Sequence, residues 1–91
     1  MVSVTIRGTR IGESNDTVLV EGNHYFPRHS VNMGLLKRSA KPYTCPWKGT
    51  ATYYSTEEDA NVAWSYEDPK PQARKIAGYL AFDTNKVEIT E

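Results

Sequence analysis

The chain opens on a strict alternation. Val2, Val4 and Ile6 fall on one side and Ser3, Thr5 and Arg7 on the other, the two-residue period of a strand with one buried face. Gly8-Thr9 supplies a turn, and Arg10–Glu13 returns as a short strand toward a second turn at Asn15-Asp16. Thr17–Glu21 is the next strand, with Val18 and Val20 on one face and Leu19 on the other, and Gly22-Asn23 ends it. In His24-Tyr25-Phe26-Pro27 the proline holds Phe26 extended. Ser30 stands where an N-cap belongs for a short helix over Val31–Leu36, in which Val31, Leu35 and Leu36 share a face. The basic stretch 37–42 ends in proline and reads as loop.

Cys45-Pro46-Trp47-Lys48-Gly49 reads as a constrained turn between strands, because proline fixes φ and glycine permits positive φ. Thr50–Ser55 is rich in β-formers, and its adjacent Tyr53 and Tyr54 point to opposite faces. The acidic Glu57–Asp59 stretch turns the chain into another strand, Val62–Tyr66, centred on Trp64. Pro69-Lys70-Pro71 breaks the pattern. Gln72–Ala77 is a second short helix, with Pro71 at its first position and Gly78 just past its end. Tyr79–Phe82 and Lys86–Thr90 are strands joined across Asp83-Thr84-Asn85. Strands that follow one another through short turns pair antiparallel. The pattern therefore predicts a mainly β (α+β) fold: a single curved antiparallel sheet of about seven short strands with one or two short helices.

Length sharpens this to one domain, because 91 residues leave no room for a second. Eleven Lys and Arg balance eleven Asp and Glu, which weighs against a basic nucleic-acid binder. No apolar run approaches the ~20 residues of a membrane span, and no charged-then-apolar leader opens the chain. With one cysteine there is no internal disulfide, and the expected location is the cytoplasm.

The zero net charge hides two blocks. Gly22 to Thr56 carries Arg28, Lys37, Arg38, Lys41 and Lys48 and no acid; Glu57 to Pro69 carries Glu57, Glu58, Asp59, Glu67 and Asp68 and no base. Either the two segments lie side by side and neutralise each other, or they form a polarised surface that steers an anion or pairs two chains.

Three ordered motifs run through the chain: Glu21-Gly22-Asn23-His24-Tyr25-Phe26-Pro27; Cys45-Pro46-Trp47-Lys48-Gly49-Thr50-Ala51 with Tyr53-Tyr54-Ser55; and Ala63-Trp64 with Tyr66 and Asp68-Pro69-Lys70-Pro71. Together with Ile76, Gly78-Tyr79 and Ala81-Phe82 they resemble the "domain of unknown function 427" family over essentially the whole chain. The resemblance implies a small, curved, mostly antiparallel β domain with one or two short helices, in a family that sometimes carries a nucleotidyltransferase-like label. This chain differs in its short acidic 56–61 connection and in Ser65, where members often carry another aromatic residue.

Eight of the ten aromatics are Tyr or Trp, which bury an apolar body and keep a polar handle; aromatic concavities with a few polar groups are the usual form of small-ligand sites. The expected site joins the Glu21–Pro27 segment, the Cys45–Gly49 turn and the Trp64–Tyr66 strand. Its ligand-binding residues are His24, Tyr25, Trp47, Lys48, Trp64 and Tyr66: rings to stack on a planar ligand, an imidazole to orient or ligate it, an ammonium for an anionic group. His24 also suits a base or a hydrogen-bonded structural role, while His29 reads as solvated loop. Cys45 is a buried thiol, a thiol activated by Lys48, or a haem thiolate. Haem iron also accepts His or Tyr, so the axial candidates are His24, Cys45 and Tyr79. A structural zinc is not expected from one cysteine and two unspaced histidines.

Catalytic residues are not assigned. Glu57, Glu58 and Asp59 are consecutive in a turn and diverge, and no Gly-rich phosphate loop is present. The reading is a non-catalytic small-ligand-binding or regulatory module, with haem the most concrete planar, anionic ligand. The alternatives are a protein-interaction regulator that docks on a metabolic enzyme or on its own copy, and a nucleotidyltransferase-like enzyme.

Overall fold

In the computed structural model the N-terminal alternation becomes a hairpin. Strand β1 (Val2–Ile6) pairs antiparallel with β2 (Thr9–Ser14), and β10 (Glu88–Thr90) closes the other edge of β1. Residues 1–40, 43–46 and 48–91 are described, without the side chains of Tyr43 and Cys45. Arg7 and Gly8 both take positive φ (49° and 79°), the two-residue turn whose twist matches that of the strands it joins.

The same device recurs in the next hairpin. Strands β3 (Val18–Val20) and β4 (Asn23–Tyr25) are joined by Glu21 and Gly22, at φ 53° and 84°. In each turn a charged residue occupies the left-handed position that asparagine usually fills, and in each an opposite charge from another hairpin holds it. Arg7 is held by Asp59 and Glu21 by Lys48.

The remaining strands are β5 (Lys37–Arg38), β6 (Tyr43–Cys45), β7 (Gly49–Ser55), β8 (Ala63–Ser65) and β9 (Leu80–Phe82). They form an antiparallel sheet in the order β5-β7-β8-β9, with β6 also paired to β7. The expected antiparallel, mainly β fold is therefore present, but divided into three sheets where the sequence suggested one. The described residues form ten strands, because His24, Lys37–Arg38 and Tyr43–Cys45 each enter a ladder. Phe26 stitches two of the sheets: its N–H donates to Leu80 O at 2.7 Å and its carbonyl accepts from Leu80 N at 2.8 Å.

No α-helix forms over Val31–Leu36. Val31 is extended (φ −112°, ψ 135°), bridged to Gly12, and Asn32 N donates to Ile11 O at 2.7 Å. Pairing with β2 thus claims the backbone groups a helix would need, leaving short 3-10 turns at Arg28–Ser30 and Met33–Leu35. Asn32, not Ser30, caps by accepting from Gly34 N; the Ser30 hydroxyl donates to Pro27 O. The second expected helix is present as a 3-10 segment, Pro71–Ile76, broken at Ala73 and followed by Gly78 at φ 76°.

The β7-β8-β9 sheet is buried on both faces. Tyr54, Ala63, Leu80 and Phe82 join Val4, Ile6, Ile11, Phe26 and Val62 in the main core. Their neighbours Ala51 and Ala81 turn the other way into a second core with Tyr25, Tyr66, Ala73 and Ile76. Tyr53 and Tyr54 finish opposite faces, as their adjacency requires. The 3-10 segment serves the second core, with Ala73 and Ile76 inward and Arg74 and Lys75 in its last turn.

Candidate functional site

Alternation along β3 and β4 divides the expected site in two. Val18 pairs with Tyr25, and both point into the second core; Leu19 pairs with His24, and both point out. The inward set is the aromatic one. Tyr25 and Trp64 meet edge to face with centroids 6.5 Å apart, and Trp64 Nε1 donates to the Tyr25 hydroxyl at 3.2 Å. The Tyr53 ring lies 6.1 Å from that of Trp64, tilted by 37°. The Lys48 ammonium sits 5.7 Å from the Tyr66 ring centroid and pairs with the Glu21 carboxylate. Tyr25, Lys48, Trp64 and Tyr66 are thus gathered as the sequence suggested. Trp64 packs against Tyr25 and Tyr53, Tyr25 and Tyr66 are buried, and Glu21 answers the lysine charge. Trp47, expected in the same group, lies outside the described residues.

His24 faces a separate cleft of about 360 Å³ between the β3–β4 hairpin and the sheet of β1 and β10. Leu19, Phe82 and Ile89 give it apolar walls, and Asn23, Thr84 and Glu91 give it polar ones. The Thr17 hydroxyl is 3.0 Å from Nδ1, and Nε2 is 2.7 Å from a Glu91 carboxylate oxygen. With a proton on Nε2 the ring donates to Glu91 and accepts from Thr17, so both nitrogens are oriented. The imidazole is largely buried and its partner is not: side-chain exposure is 17% for His24 and 74% for Glu91. The other tautomer, with the proton on Nδ1 donated to the Thr17 hydroxyl, is the one in which Nε2 carries the lone pair that can ligate a metal.

The structure adds a group that motif reading missed. Arg28 Nε donates to Gly78 O at 3.1 Å, and its Nη2 reaches Glu67 at 2.9 Å and the buried Ser65 hydroxyl at 3.4 Å. Glu67 also accepts from the Tyr54 hydroxyl at 2.6 Å, with Arg38 3.8 Å away. The hydrogen bond from Tyr54, with Arg28 and Arg38 nearby, holds the Glu67 carboxyl below the usual glutamate range despite partial burial. Burial and the bond to Glu67 push the Tyr54 phenol up. Arg28 continues into a shallow groove of about 510 Å³ with Pro27, His29, Ala77, Gly78 and Tyr79.

A family model described as "Domain of unknown function (DUF427)" matches residues 1–91. The chain belongs to the DUF427 family. No curated protein matches it.

Within this DUF427 domain two of the haem-ligand candidates, His24 and Tyr79, lie on different surfaces. His24 lines the cleft beside β10, Tyr79 lines the Arg28 groove, and the Cys45 side chain lies outside the described residues. The charge blocks face each other. Lys37 pairs with Glu57 at 2.9 Å, Arg28 and Arg38 with Glu67, and Arg7 from outside the basic block takes Asp59 at 2.7 Å. That pairing is the signal that would have found Arg28 and Glu67: opposite blocks on adjacent segments mark residues that meet. Among the described residues no three of His, Cys, Asp and Glu converge as a metal site, and no helix is long and apolar enough to cross a membrane.

Proposed function

We propose that this domain is a non-catalytic small-ligand-binding module whose site is the His24 cleft. One observation carries the reading: an imidazole fixed through Nδ1 by Thr17 directs Nε2 into a cleft walled by Leu19, Phe82 and Ile89, against an exposed and displaceable carboxylate. Apolar walls around a few convergent polar groups are the common form of a ligand site. Leu19, 60% exposed, is a large apolar side chain left in water at its mouth. Haem is the concrete candidate ligand. It offers an apolar macrocycle to these walls and an iron that accepts an imidazole nitrogen, and Thr17 is the outer partner that would orient the ring.

The reading favours His24 over Tyr79 and Cys45, and a titration separates them. Addition of ferric haem to the purified chain gives a shifted, saturable Soret band with the native protein, Tyr79→Phe and Cys45→Ser. His24→Ala abolishes it, and Thr17→Val weakens it. A native protein without a shift, or a shift that survives in His24→Ala, overturns the assignment. The docking alternative needs its charge blocks free for a partner. It draws less support, because Arg28, Lys37 and Arg38 already face Glu57 and Glu67 of their own chain.

A further inference from the structure

A second cleft, of about 350 Å³, lies on another part of the surface, between the β1–β2 turn, the Met33–Leu35 turn and the loop after β7. Its floor is apolar: Ile6 and Ile11 are core residues whose edges reach it, and Leu35 remains partly exposed above them. Its rim is charged and uneven. Arg7 is spent on Asp59, through Nε at 2.7 Å and Nη2 at 3.2 Å. Lys37 is spent on Glu57 at 2.9 Å. Glu58 makes the carboxylates one more than the cations: it is 70% exposed and holds only a long 4.0 Å pair to Arg7 Nε, whose closer partner is Asp59.

From this imbalance we infer that the cleft binds small amphiphilic ammonium compounds, with a short alkyl or phenylalkyl body on Ile6, Ile11 and Leu35 and the ammonium at Glu58. The rim decides the class. An ammonium joins a rim of three carboxylates and two cations without breaking the close Arg7–Asp59 or Lys37–Glu57 pair. A carboxylate of the same shape must displace Glu57 from Lys37 and then stand beside Glu58, where like charges repel. A neutral alcohol keeps the apolar contacts and gains no charge term. The volume falls within the range of pockets that hold small ligands. The site shares no residue with the His24 cleft, so either can fail without the other.

The test is a titration followed by amide chemical shifts, using phenethylammonium, 2-phenylethanol and 3-phenylpropanoate as probes at one ionic strength. Saturable shifts at Ile6, Ile11, Leu35 and Glu58 are expected with the amine. Its affinity should exceed the alcohol's by about two- to fivefold, the worth of an exposed ion pair, with the carboxylate weakest. Glu58→Gln, at an exposed position, should lower the amine to the level of the alcohol while leaving the spectrum otherwise unchanged. Added salt should narrow the preference. Equal or tighter binding of the carboxylate, no saturable shift with the amine, or an amine preference that survives Glu58→Gln overturns the inference.

Discussion

The phenol of Tyr54 donates to the Glu67 carboxylate at 2.6 Å, and that bond links the β7 strand to the segment after β8. Tyr54 belongs to the main core, while Glu67 also holds Arg28, so one carboxylate joins the core to the groove beside Gly78. A hydrogen bond to a charged acceptor is worth about 1.5–3 kcal/mol, and the exposure of Glu67 puts this one near the lower end. Tyr54→Phe should lower stability by ~1–2 kcal/mol in denaturant unfolding, with the Arg28–Glu67 pair retained.

Acid should expose the same carboxylate. Its folded value lies below the ordinary 4.5, so its contribution is complete above that value and is lost as pH falls through the folded one. Glu57 and Asp59, lowered by Lys37 and Arg7, add to the same trend. Glu67→Gln should therefore be less stable than the native chain near neutrality and lose less on acidification. Thermal unfolding measured from pH 6 downward should show the two curves converging.

The two charged hairpin turns predict effects of opposite sign from the same change. Arg7→Asn and Glu21→Asn each place the preferred residue at a left-handed position. Arg7 pairs with Asp59 at an exposed site, where an ion pair contributes little, so its replacement should leave the melting temperature unchanged or raise it. Glu21 answers the buried Lys48, and its loss should cost on the order of 1–3 kcal/mol, more than the turn gains. Melting curves of the two variants decide the matter.

Gly12 has no room for a side chain. A Cβ there would lie 2.8 Å from the Ser30 carbonyl oxygen and 3.2 Å from Val31 Cα, both backbone atoms. Gly12→Ala should cost ~1–3 kcal/mol, because the Gly12–Val31 bridge must open to admit the methyl group.

Much of this fold is legible in the sequence because the signals are local. The alternation of Val2, Val4 and Ile6, the strand ending near Gly22, Pro71 at the first position of a short helix and Gly78 after it all act within a few residues. Val31–Leu36 misleads because its fate is decided by β2, twenty residues earlier, which takes the backbone of Val31 and Asn32. Lys37–Arg38 reads as loop because its strand character comes only from pairing with Tyr54 and Ser55. The candidate site is half legible. Motif reading gathers Tyr25, Lys48, Trp64 and Tyr66, but a tyrosine that lines a pocket and one that seals a core carry the same letters. Alternation is the missing step: His24 and Tyr25 are adjacent on one strand and must face opposite ways. Arg28 and Glu67 stand 39 residues apart, and no motif spans that distance.

The central claim, that ligand enters at His24 and not among the clustered aromatics, is tested most directly by mapping backbone amide shifts as diamagnetic zinc protoporphyrin is added. The account predicts saturable shifts at Leu19, His24, Phe82 and Ile89, with Trp64 and Tyr66 unmoved. Shifts confined to Trp64, Tyr66 and Lys48, or none at all, would contradict it.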